Sequence, residues 1–142
     1  MSALGASQET APATTALVSG VVVGVNGDAR VVELARVDGQ GCAAAIRAEL
    51  GCRWFDVVAL TPVLDMWLDD EGLCVSEPVV NEVATRIAHA YGRRSQPYFG
   101  PVLFVSHDGE GETVSLTSQQ RDALLATAVC RAAVVFDAGM AR

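Results

Sequence analysis

Ser106, His107 and Asp108 stand side by side and supply the three residue types of a hydrolytic triad. Neighbouring side chains at a strand end point in different directions, so they cannot line up the Ser-to-His-to-Asp hydrogen bonds that such chemistry needs. The stretch HDGEGE offers Asp108, Glu110 and Glu112 as oxygen ligands. A twelve-residue calcium loop, however, carries Gly at its sixth position and Glu at its twelfth, where this chain has Thr113 and Gln119. Cys42, Cys52, Cys74 and Cys130 form no CxxC pair and no zinc-ligand spacing, and read as reduced, mostly buried cysteines. Of the two histidines, His89 is expected on the wet face of a helix and His107 in a loop. Asp65 and Asp69 lie on one strand face about 13 Å apart at ~3.3 Å per residue, too far for a glycosidase carboxylate pair.

SGVVVGVNGDARVVELA, from Ser19 to Ala35, raises the question of a phosphate loop. A dinucleotide fingerprint or P-loop needs the glycine turn to open a helix whose amides hold the phosphates. The residues after Gly27 are short and β-branched, and neither GxGxxG nor Gly-Lys-Ser/Thr is present. Asn-Gly between two valine-rich runs is instead a hairpin signal.

Two constellations remain as binding sites. In YGRRSQPYFG, Arg93 and Arg94 follow a helix and stand beside Tyr98; arginine forks take phosphate or carboxylate, and an aromatic ring stacks a base. The competing reading is a solvated helix end with Tyr91 and Phe99 in the core. In VLDMWLDD, strand alternation places Leu64, Met66 and Leu68 on the core face and Asp65, Trp67 and Asp69 on the other. A bare tryptophan between two acids suits a basic protein partner.

The elements that must position these residues follow the order ββ-α-βββ-α-β-β-α. A helix is expected from Cys42 to Leu50, ended by Gly51. Two strands flank Thr61-Pro62, and LCV after the Asp69–Gly72 turn reads as a third. VVNEVATRIAHAYG places Val80, Ala84, Ile87 and Tyr91 on one helical stripe, with Ser76 to Pro78 as its start signal. Asn81 in its first turn reads as a structural hydrogen-bonding residue. PVLFVS and TVSL are strands, and a last helix capped by Thr117-Ser118 turns Leu124, Leu125, Ala128 and Val129 inward. The pattern is α+β: an antiparallel-rich mixed sheet built from hairpins, with about three helices packed mainly on one face. Met1 to Thr15, rich in Ala, Ser and Thr, reads as a flexible leader, and 16–142 as a single domain.

The chain has 142 residues, 51% apolar and 19% charged, within the range of globular domains. Its 17 acids against 10 bases give a net charge of −7, and every base among Lys and Arg is arginine. That balance argues against duplex nucleic acid as a partner, since such binding needs a cationic stripe. The start lacks the pattern of a signal peptide and no apolar run approaches the ~20 residues that span a bilayer, so a cytoplasmic protein with no membrane partner is expected.

From about Arg53 to Leu125 the chain resembles a family of small uncharacterised domains of unknown function found in actinobacteria, plasmids and phages. The resemblance rests on DVVALTPVLDMWLDDEG, on Asn81 and Ala84 in VVNEVAT, on Gly100 in FGPVLFV, and on SLT before the last helix. It implies an accessory protein of a mobile element and transfers no catalytic residue. The expectation is therefore a non-enzymatic accessory or regulatory interaction domain, without cofactor or metal, that binds a protein partner through Asp65, Trp67 and Asp69. The alternative is a small-ligand or nucleotide-binding module using Arg93, Arg94 and Tyr98.

Overall fold

A computed structural model describes residues 15–71, 77–92 and 96–141, with side chains up to residue 129. The leader up to residue 14, the LCV strand and Cys74 lie outside the described residues, as does the Cys130 side chain. The first two strands, β1 (Thr15–Val23) and β2 (Ala29–Val37), form the expected antiparallel hairpin. Its turn is longer than the two residues Asn-Gly alone would need. The Gly24 amide donates to the Asp28 carbonyl, the Gly27 amide to the Gly24 carbonyl, and Gly27 takes φ 91°, which glycine adopts without strain.

Helix α1 (Ala43–Leu50) follows and stops at Gly51, whose left-handed φ of 64° ends it as expected. Strands β3 (Phe55–Ala59) and β4 (Leu64–Asp69) pair across a turn in which the Thr61 hydroxyl accepts the amides of Val63 and Leu64. Then come α2 (Glu82–Ala90), β5 (Val102–His107), the short β6 (Thr113–Val114) and α3 (Ser118–Ala141). The six strands make one antiparallel sheet of order β2-β1-β5-β4-β3, with β6 beside β5. The architecture is α+β.

Strands β1 and β5 sit in the middle of the sheet and are apolar on both faces. On one face Val21, Val23, Met66 and Phe104 pack against Val83 and Ile87 of α2 and Leu124 and Ala128 of α3. On the other, Val22, Leu34, Leu103 and Val105 pack against Ile46 and Leu50 of α1. Two of the three helices thus share a face, and the third covers the opposite one.

Three local expectations change. Helix α2 starts at Glu82, capped by Asn81, whose Oδ1 accepts the Ala84 amide at 3.0 Å, rather than near Ser76 to Pro78. Ending at Ala90, one residue short of Tyr91, it leaves Tyr91 as a cap residue that is 40% exposed, so Val83 and Ala88 replace Tyr91 in the core. Val129 of α3 is 70% exposed because the buried stripe runs through Leu124 and Ala128. Thr117 caps α3 reciprocally with Gln120, each backbone amide donating to the other side chain.

Asn81 does more than cap. It is fully buried, and its Nδ2 donates to the carbonyls of Val23 and Gly100, both at 2.9 Å. Asn81→Ala loses the cap and strands the buried Val23 carbonyl and the part-buried Gly100 carbonyl, which should cost about 3 kcal/mol in urea unfolding. Asn81→Asp should not rescue it, because a carboxylate keeps the cap but supplies no donor. Gly20 is the second test: a Cβ there would lie 2.8 Å from both the Phe104 carbonyl oxygen and Val105 Cγ1. Gly20→Ala should therefore cost about 1–3 kcal/mol by forcing the β1–β5 contact apart.

Candidate functional site

Strand β4 keeps the sidedness read from its sequence, with Leu64, Met66 and Leu68 toward α2 and α3 and Trp67 toward α1. The second face is not bare. Trp67 is half-buried and packs against the α1 cluster, its ring meeting Phe55 edge-on at 4.8 Å and 73°. Arg47 of α1 lies over the other ring, 5.0 Å from the Phe55 centroid. The physical reason is the doubly apolar centre of the sheet: the face carrying Val22, Leu34, Leu103 and Val105 needs its own cover. Near-continuous apolar runs such as GVVV and PVLFV carry that signal, since strands buried on both faces do not alternate.

Asp65 is only 7% exposed, and its Oδ2 accepts from His107 Nδ1 at 2.8 Å. This pairing joins residues 42 positions apart, and neither the loop position expected for His107 nor the exposed one expected for Asp65 anticipated it. Ser106 points elsewhere, donating to the Val63 carbonyl. Asp108 is spent on its own loop, where amide hydrogen bonds from Glu112 and Glu110 hold its carboxyl below the usual range. Asp69 accepts the Glu71 amide and borders a cavity of about 120 Å³ with Asp56, Asp70 and Tyr98. Tyr98 itself is buried, its amide donating to the Thr85 hydroxyl and its carbonyl accepting from Asn81. Arg93 and Arg94 lie outside the described residues. The structure therefore brings Asp69 and Tyr98 to one cavity and sends Asp65 and Trp67 to the α1 side.

A larger feature opens on that side, a half-open cleft of about 400 Å³ bordered by Arg36, Cys42, Ala43, Phe55, Trp67 and Glu112. Its size lies within the ~300–1,000 Å³ of small-molecule sites. Arg36 is the penultimate residue of β2, Trp67 comes from the middle of β4, and Glu112 comes from the turn before β6. The remaining wall is a glycine turn running into a helix. Gly39 and Gly41 take φ 82° and 65°, the Val37 carbonyl accepts the amides of Gln40 and Gly41, and α1 begins two residues on. The strand, glycine turn and helix sought at Ser19 to Ala35 thus occur one hairpin later, in VDGQGCAAA.

Two residues of the lining, Arg36 and Trp67, each carry a buried nitrogen, Nε and Nε1, with no hydrogen-bond partner. Cys42 is the N-cap of α1 but makes no side-chain cap bond. Burial pushes its thiol up, while a hydrogen bond with the Arg36 guanidinium opposes the shift. The thiol therefore stays protonated at neutral pH and is a poor nucleophile. Among the described residues no group of three His, Cys, Asp or Glu side chains is placed to hold a metal ion. No helix among them is long and apolar enough to cross a membrane. Sequence reasoning missed Arg36, Cys42 and Glu112, which stand in separate segments with no shared motif.

A family model described as Domain of unknown function (DUF3846) matches residues 18–128. The chain belongs to the DUF3846 family. The DUF3846 match is wider than the resemblance read from Arg53 to Leu125, since it takes in the first hairpin, the glycine turn and α1. Every residue named at the cleft falls inside it. No curated protein and no solved structure matches the chain.

The unpaired indole N–H gives this DUF3846 domain a specific signature. Trp67→Phe keeps most of the packing and removes an unsatisfied donor, so it should cost the ligand-free protein less than about 1 kcal/mol in urea unfolding. Trp67→Ala, which empties the space under α1, should cost about 3–5 kcal/mol.

Proposed function

We propose that this domain is a non-enzymatic binding module whose ligand is a small molecule seated in the cleft between the first turn of α1 and Trp67. The observation that carries the reading is the pair of unpartnered buried donors on side chains that line a cleft of ligand size. Buried donors in folded proteins are nearly always satisfied, and leaving one unmade costs roughly 1–3 kcal/mol. A ligand that accepts from them recovers that cost on binding. Chemistry has less support than binding here: the Cys42 thiol is held protonated, and Asp108 is occupied by its own loop.

The reading replaces a protein-docking face of Asp65, Trp67 and Asp69, because Asp65 is buried against His107 and Trp67 lies under α1. It keeps the small-ligand class but moves it away from Tyr98, whose buried position removes it as an exposed stacking platform.

The test uses Trp67 as its own reporter. Trp54 is 56% exposed, so Trp54→Phe leaves one tryptophan, at the cleft. A small-molecule library is screened for changes in Trp67 emission together with a rise in melting temperature, which any ligand specific for the folded state produces. Hits should lose both signals in Ala43→Phe, which fills the cleft mouth. A library without hits, or hits that survive Ala43→Phe, would overturn the reading.

A further inference from the structure

We propose that the ligand of this cleft is an oxyanion, a molecule that presents phosphate or carboxylate oxygens to Arg36 and Trp67. The inference rests on the small-ligand reading above and narrows it to one chemistry. Among the described residues three buried side-chain polar atoms lack a partner, Arg36 Nε, Trp67 Nε1 and Arg86 Nε, and two of the three belong to this one cleft. Both are donors. An indole N–H and a guanidinium N–H have no acceptor capacity, so only an acceptor satisfies them.

Charge points the same way. Arg30, Arg53 and Arg121 are each paired with a carboxylate, at 3.1, 3.4 and 3.1 Å; Arg36, Arg47 and Arg86 make no ion pair among the described residues, and of these three only Arg36 lines the cleft. Its guanidinium instead hydrogen-bonds the Cys42 thiol, which is uncharged. The first turn of α1 adds amide donors that no side chain caps, at the end of the helix where its dipole is positive. Neither unpaired nitrogen is open to water in the ligand-free form. Binding therefore turns the two half-buried side chains toward the cleft, exchanging an unmade bond for a charge-assisted one. Glu112, exposed on the rim, is the one charged group of the lining that opposes an anion.

Four probes sharing one ring, phenyl phosphate, benzoate, benzyl alcohol and benzylamine, together with inorganic phosphate as a ringless control, separate the possibilities. Each is titrated into Trp54→Phe protein and read by Trp67 emission and melting temperature. The anions should bind and the alcohol and amine should not. Phenyl phosphate with inorganic phosphate binding alone assigns a phosphate, benzoate alone assigns a carboxylate, and binding of both supports the shared chemistry. Arg36→Gln should weaken anion binding about tenfold, the loss of one charge-assisted contact. Glu112→Gln should tighten it about threefold by removing a like charge.

Alcohol or amine binding as well as the anions overturns the proposal, as does anion binding untouched by Arg36→Gln. If the anions fail while other library members bind and are blocked by Ala43→Phe, the oxyanion falls and the small-ligand reading stands. If nothing binds, both fall.

Discussion

One amide holds the domain together at the point where three elements meet. Asn81 has no exposed surface, and its side chain is fully used: both Nδ2 protons go to carbonyls at the end of β1 and the entrance of β5, and Oδ1 receives the Ala84 amide in the first turn of α2. Its own amide donates to the Tyr98 carbonyl, next to the Val80–Phe99 bridge and the Gly100-to-Val79 bond. A residue with only acceptors, or with one hydroxyl, cannot satisfy two carbonyl acceptors and one amide donor in that geometry. The direction in which α2 leaves the sheet is set here, and with it the docking of Val83, Ala84 and Ile87 on Val21 and Phe104. Satisfied polar groups at a buried junction specify one arrangement because every alternative leaves a group unpaired.

The cleft follows from an inequality of cover. The face toward α2 and α3 receives helices of nine and 24 residues, the longer about 36 Å at 1.5 Å per residue. The opposite face receives only α1, whose eight residues span about 12 Å. Five strands side by side occupy about 19 Å across at ~4.8 Å per interval. Ile46 and Leu50 cover the middle of that face, and the remainder is filled by large side chains from the sheet, Phe55 and Trp67. What neither covers is the cleft. The short helix that makes the face incomplete is thus also the element whose first turn borders the opening.

Much of this architecture is legible in the sequence because it depends on local periodicity. The alternation of LDMWLD, the Asn-Gly between valine runs, the Gly51 stop and the Thr117 cap each translate directly into the observed element. What periodicity does not state is which element covers which face. The two sides of β4 read correctly, yet the identity of the cover over Trp67 depends on where an alanine-rich helix of low amphipathicity lands, and three consecutive alanines carry little facing information. The Asp65–His107 pair was illegible for a related reason: it is set by the register of β4 on β5, where Asp65 faces Val105 and sits diagonally from His107. Helix α2 starts later than Ser76 to Pro78 would place it, because a Pro at a first helical turn is a strong local signal that here loses to a tertiary one, the buried bonds of Asn81.

The overall charge of −7 appears at first to disfavour an anionic ligand. Distance decides between the two effects. Charges spread over the surface act through water and salt, and beyond the ~8 Å Debye length of physiological salt they are largely screened. A ligand oxygen in the cleft lies within contact of one guanidinium, where a unit charge pair at 4 Å is worth about 4 kcal/mol at an effective dielectric of 20. The long-range field of this protein therefore slows the approach of an anion, while the short-range field of Arg36 and the α1 terminus governs whether it stays. An acidic surface around the cleft's one arginine, Arg36, is in this sense a filter: it discourages loose binding of polyanions away from the cleft.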